Sequence, residues 1–130
     1  MHKNFLTTAA LLGGLSVLLG AFAAHQLKAM VAADVLQIFE TAVRYQMYHA
    51  LALLATGILY MQFPVKQLRW AGILFIAGII LFSGSLYGLC FIKHQNIPAL
   101  WVGAITPLGG LCFISGWILL ALGVAKKSTN

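Results

Sequence analysis

The chain has 130 residues, of which 62% are hydrophobic and only 8% charged, a balance that excludes an ordinary water-soluble domain and points to a membrane protein. The net charge of +6 does not read as nucleic-acid binding, because Lys and Arg sit at segment ends and no basic stripe interleaves with aromatics. Anionic lipid headgroups are the expected counter-charge.

Four apolar runs are long enough to cross a hydrocarbon core at about 20 residues each: 5–24, 42–61, 70–92 and 99–124. The first follows the basic start of "MHKNFLTTAALLGGLSVLLGAFAA", as a signal peptide would. Its apolar run exceeds a usual signal core, so it is read as a span. The expected fold is an all-α membrane protein, a single membrane domain of residues 1–130 forming a compact bundle of four transmembrane helices.

Between the first two runs lies the only sizeable non-spanning segment, "AHQLKAMVAADVLQIFET". Asp34 followed by Gln37 has capping-box spacing, which predicts a helix start there. No breaker intervenes before Pro64, so one helix of roughly 40 Å is expected from Val35 to Met61. Leu27, Val31, Val35, Ile38 and Phe39 fall near one helical face, and Asp34, Gln37, Glu40, Thr41 and Arg44 on another. The segment reads as an amphipathic helical connection in the headgroup layer.

Charge sets the expected orientation. One side carries Lys3, Lys66, Arg69, Lys126 and Lys127 with no acid; the other carries Lys28, Arg44 and Lys93, partly offset by Asp34 and Glu40. The positive-inside rule then puts both termini in the cytoplasm. Cys90 and Cys112 differ in expected depth by roughly 15 Å, which argues against a disulfide.

The stretch "VRYQMYHALALLATGILYMQF" places Arg44, Gln46 and His49 at the head of an otherwise apolar run. An amide, a charge and an imidazole are costly in hydrocarbon unless partnered. Glu40 lies four residues before Arg44, the favourable order for a helical ion pair, and Tyr45 stands four before His49. Ser83, Ser85 and Tyr87 in the third run, Thr106 in the fourth and His25 at the end of the first fall at similar depth, suggesting one outer-half polar belt. Pro107 should free the carbonyl of Gly103, with Tyr87, a serine or His49 as donors. His49 is expected to point inward. Gly14, Gly20, Gly84, Gly88, Gly103 and Gly110, with Pro107, are expected to mediate close helix packing, Gly84 and Gly88 forming a GxxxG step, and Gly13, Gly72, Gly78, Gly109 and Gly116 likewise allow close backbone approach.

The motifs "GAFAAHQLK", "FETAVRYQMYHALAL", "FSGSLYG" and "AITPLGGLCFISGW" together resemble those of the domain of unknown function 423 family. These are small multi-pass bacterial membrane proteins, similar to a small eukaryotic transmembrane protein. The resemblance covers essentially the whole chain, with Ala23 where the family's opening motif usually has glycine. It implies a multi-pass inner-membrane protein and supplies no activity, cofactor or substrate.

No nucleophile and base pair, paired carboxylates, metal triad or phosphate loop stands out, so no catalytic residue, metal or cofactor is expected and the chain is read as non-enzymatic. The function expected is binding of a lipid, a small amphiphile or a membrane partner through His25, Glu40, Arg44, Tyr45, His49, Ser83, Ser85, Tyr87 and Thr106. The expected partners are the bilayer, a bound lipid, and a second copy or another membrane protein. The rival is a small oligomeric transporter or proton-coupled carrier using His49, Glu40 and Arg44.

Overall fold

A computed structural model describes residues 1–97 and 100–128. The chain winds into four long helices, α1 (His2–Met30), α2 (Ala33–Gln62), α3 (Lys66–His94) and α4 (Leu100–Ser128), and no strand is present among the described residues. Three of them are long and apolar enough to cross a membrane: α1, α3 and the Trp101–Lys126 part of α4. In α2, 30 residues or about 45 Å long, polar groups interrupt the apolar run. The expected start of the fourth span at Ala99 lies outside the described residues.

Two-residue and three-residue breaks force sequence neighbours into antiparallel contact. Val31 and Ala32 are extended, which turns the chain out of α1 and into α2. Phe63, extended as a residue before proline must be, ends α2 at Pro64. After α3, Asn96 adopts φ 56°, and the N–H groups of Asn96 and Ile97 bond the carbonyls of Lys93 and Ile92. This is a Schellman cap with Asn in the left-handed position that a helix C-terminus requires.

The connection between α1 and α2 differs from expectation. It is not a separate interfacial helix. α1 continues to Met30 through a π turn at Ala23–Leu27, and α2 begins at Ala33. The apolar face of Leu27, Val35 and Phe39 is buried with Ala23 and Cys90, and Val31 and Ile38 pack on it. Burial against α3 competes with the headgroup layer for that face and prevails. Asp34 does not cap α2 either, because the helix starts earlier, at Ala32 and Ala33, without a side-chain cap bond. Asp34 instead sits in the first turn and accepts a hydrogen bond at 3.0 Å from Lys93 Nζ at the end of α3.

At the other end of the bundle, Phe5, Ala9, Ala52, Leu53, Ala71, Phe75, Ile79 and Phe113 form the main apolar core. The outer surface is apolar too. Leu11, Leu18, Ile80, Phe91 and Trp101 are each at least 65% exposed, which water would not tolerate in a monomer and lipid does.

Of the glycines expected to allow close approach, only some bring helices together. A Cβ at Gly14, Gly88, Gly103 or Gly110 meets nothing within 4 Å, at Gly84 only a carbonyl of its own helix, and at Gly20 an ordinary contact with Val43 at 3.5 Å. Spacing identifies which glycines share a face, whereas helix rotation decides which face meets a neighbour. The tight positions are Gly57, Gly72, Gly78, Gly109, Gly116 and Gly123, and at Gly109 a Cβ would overlap the backbone of Phe82. Phe82 lies in a second π turn, Ile79–Ser83 of α3.

Because the obstacle at Gly109 is main chain, Gly109→Ala must push α3 and α4 apart, at an expected cost of about 1–3 kcal/mol. Thermal unfolding in detergent should show a lowered midpoint for Gly109→Ala and none for Gly88→Ala. A second measurement concerns Asp34, whose carboxyl is held below its ordinary value of 3.8 chiefly by the Lys93 hydrogen bond, with help from the Val35 N–H. A lowered folded value means that the contact contributes above the unfolded pKa and is lost as pH falls through the folded one. The melting difference between the parent and Asp34→Asn should be constant near neutrality and vanish on acidification below pH 3.8.

Candidate functional site

Helix α2 carries a stripe of buried residues, Ala42, Gln46, His49, Leu53 and Thr56, all 4% exposed or less. The spacing of three and four residues puts them on one face. That face makes polar attachments to all three other helices.

Gln46 bridges two helices. Its Nε2 donates to the Leu12 carbonyl of α1 at 3.0 Å, and its Oε1 accepts from the Tyr87 hydroxyl of α3 at 2.7 Å. Ser16 donates to the same Leu12 carbonyl at 2.8 Å. Ser83, fully buried beside the second π turn, donates to the Ala42 carbonyl of α2 at 2.8 Å. Ser85 and Thr106 share a 2.6 Å hydroxyl contact between α3 and α4, and Ser85 also bonds the Phe82 carbonyl.

His49 points inward, as expected, and its partners are different ones. Trp117 of α4 donates its indole N–H to His49 Nε2 at 3.1 Å, so Nε2 is unprotonated and Nδ1–H donates to the Tyr45 carbonyl at 2.7 Å. The ring stacks on Phe113 with centroids 3.5 Å apart and 9° between planes. His49 stands near the middle of α2, about 24 Å from Ala33 at 1.5 Å per residue. The expected partners Tyr87 and Ser85 are occupied elsewhere. Neither they nor His49 reach the Gly103 carbonyl beside Pro107, which lies inside α4.

The expected single belt therefore separates into distinct places. Glu40 and Arg44 do not form an ion pair: Arg44 donates to Thr41 at 3.2 Å, and Glu40 has no hydrogen-bond or ion-pair partner among the described residues. Both line a cleft of about 270 Å³ with Gly20, Ala23 and Val43, on the side of α2 that faces α1. His25 is exposed on the first π turn. Tyr45 is partly exposed and lies over Phe82, centroids 4.6 Å apart. A third place, a cleft of about 420 Å³, opens between the end of α1, the start of α2 and the end of α3. Phe22, Leu27, Val35, Phe39, Tyr87 and Cys90 line it, with His94 and Gln95 also on its wall. Both cysteines are free, and Cys90 Sγ–H donates to the Val35 carbonyl at 3.4 Å.

Gln46, Ser16, Phe113 and Trp117 were absent from the residues expected to form a site. The signal for Gln46 was present: it lies three residues before His49 and four after Ala42, on one helical face of small and polar residues. For Trp117 there was none, since only packing brings it to His49.

An all-helical bundle with an apolar exterior and hydrogen-bonded polar groups at its centre is an integral membrane protein. Residues 19–110 match the family described as "Protein of unknown function (DUF423)", and the chain belongs to that family. It is 43% identical over 124 residues to a UPF0382 membrane protein of Staphylococcus saprophyticus, covering 95% of this chain and 98% of that one. It is 41% identical over 129 residues to a UPF0382 membrane protein of Haemophilus influenzae, covering 99% of both. A further relative is the UPF0382 membrane protein YwdK of Bacillus subtilis, 41% identical over 125 residues and covering 95% of this chain and 98% of that one. No solved structure matches the chain.

If Gln46 links α1, α2 and α3, then Gln46→Leu should destabilise by about 1–3 kcal/mol, because it leaves the Tyr87 hydroxyl unpartnered. Tyr87→Phe should cost less. A double-mutant cycle by reversible unfolding in mixed micelles should return a coupling of about 0.6 kcal/mol or more between the two positions.

Proposed function

We propose that all four helices cross a bacterial cell membrane with both termini in the cytoplasm, and that the protein is a non-enzymatic binder of a lipid or small amphiphile. The Lys and Arg asymmetry supports the orientation. The equal length of α2, with its polar face turned inward, supports its spanning.

The observation that carries the binding function is the 420 Å³ cleft. Its volume falls in the range of small-molecule sites, and its walls are aromatic and aliphatic with few polar groups. It opens at the end of the bundle where His94, Gln95, Lys93 and Asp34 lie. An acyl chain fits the walls, and a polar head fits that rim. The polar residues of the bundle centre serve this function indirectly, by fixing the helices that form the walls.

A proton-coupled carrier has less support. His49 has both ring nitrogens engaged inside the bundle, while Glu40 and Arg44 line a separate cleft against α1. A continuous path would have to break one of the His49 bonds.

The test is photolabelling of the purified full chain in detergent with a diazirine analogue of palmitic acid. Labelled peptides should come from residues 22–39 and 87–95. Met30→Trp, which adds bulk to an exposed residue of the cleft wall, should reduce that labelling several-fold, and Ile118→Trp on the outer face of α4 should not. Labelling spread evenly over Leu11, Ile118 and the cleft in both variants would sink the reading.

A further inference from the structure

The cleft beside α1 holds opposite charges with little to neutralise them. Glu40 and Arg44 line it from one turn to the next, yet each is free of the other. Arg44 commits one donor to Thr41 and Glu40 accepts nothing. A guanidinium offers five N–H donors in a plane suited to phosphate oxygens. A carboxylate with open lone pairs suits an ammonium.

The order of the two charges along the helix selects the ligand. Glu40 lies about 6 Å nearer the outer end of α2 than Arg44, four residues at 1.5 Å each. A bilayer phospholipid presents its phosphate next to the glycerol and, in the zwitterionic classes, its amine one step further out. Arg44 therefore meets the phosphate level and Glu40 the amine level. Gly20 and Ala23 form the opposite wall; with no bulky side chain there, the head has room to seat.

The cleft lining also distinguishes among amines. None of its residues is aromatic, so it lacks the ring faces by which proteins hold quaternary ammonium groups. A primary ammonium donates N–H bonds to Glu40, whereas a trimethylated one has none to give. A purely anionic head would satisfy Arg44 and leave Glu40 uncompensated.

We infer that Glu40 and Arg44 form a headgroup site for a phospholipid carrying a phosphate and a primary ammonium, that is, a phosphoethanolamine head. This site is additional to the acyl cleft and rests on α2 crossing the membrane. It shares no lining residue with the acyl cleft, so loss of palmitate labelling there leaves it untouched.

The test is native mass spectrometry of the full chain released from nanodiscs with equal parts dioleoyl phosphatidylethanolamine, phosphatidylglycerol and phosphatidylcholine. The parent should retain phosphatidylethanolamine over each competitor by about threefold, the scale of one partly exposed ion pair. Glu40→Gln should abolish that preference while leaving phosphatidylglycerol bound, and Arg44→Gln should lower retention of all three. Arg44→Lys, expected to be intermediate, covers the case in which Arg44→Gln fails to insert. Soluble glycerophosphoethanolamine should not displace the lipid; full displacement would assign the site to a free headgroup and overturn the lipid assignment. Equal retention of the three lipids by the parent, or a preference unchanged in Glu40→Gln, would overturn the site itself.

Discussion

A polar side chain in a water-free interior must find its partner in the protein, and in this bundle the partner is most often a backbone carbonyl. A helical carbonyl has two lone pairs and uses one in the helix. Gln46 and Ser16 use the second on Leu12, Ser83 uses it on Ala42, and His49 on Tyr45. Gln46 thereby ties α1 to α2, Ser83 and Tyr87 tie α3 to α2, and Trp117 through His49 ties α4 to α2. Apolar packing between helices in lipid has no large hydrophobic drive of its own, so such bonds and close contacts decide which faces meet.

The close contact that matches them is at the second π turn. A π turn adds one residue to the helical cycle and shifts the phase of every later residue in the helix. In α3 that shift occurs at Ile79–Ser83, where Ser83 reaches across to α2 and the Phe82 backbone lies against Gly109 of α4. One local irregularity thus serves two helix interfaces. The first π turn, Ala23–Leu27, buries Ala23 and Leu27 against α2 and α3, and in doing so forms a wall of both outer clefts.

The two clefts differ in their chemistry. One is apolar with a polar rim, and the other carries an unpaired carboxylate and guanidinium. Both lie toward the end of the bundle where α1 turns into α2, while the central histidine, stacked and doubly bonded, holds helices together. Buried His49 and partly exposed Glu40 are both ionisable residues in an apolar chain, and only the second has valences left to offer a ligand.

Much of this was legible in the residues themselves. Composition and run length specify a helical membrane protein with four long segments, because apolar stretches near 20 residues have few other stable outcomes. Pro64 marks the end of α2, and the cost of a buried imidazole already directs His49 inward. The absence of acids on the side of Lys3, Lys66 and Arg69 suggests an orientation. What one-dimensional order does not contain is helix rotation and phase. Those decided that Gly109, and not Gly84 or Gly88, carries the backbone contact, that Asp34 meets Lys93 in place of capping α2, and that Trp117 completes His49 from 68 residues away. Each of these turns on where a face points once four helices compete for the same interior, and that is settled only when the helices are packed.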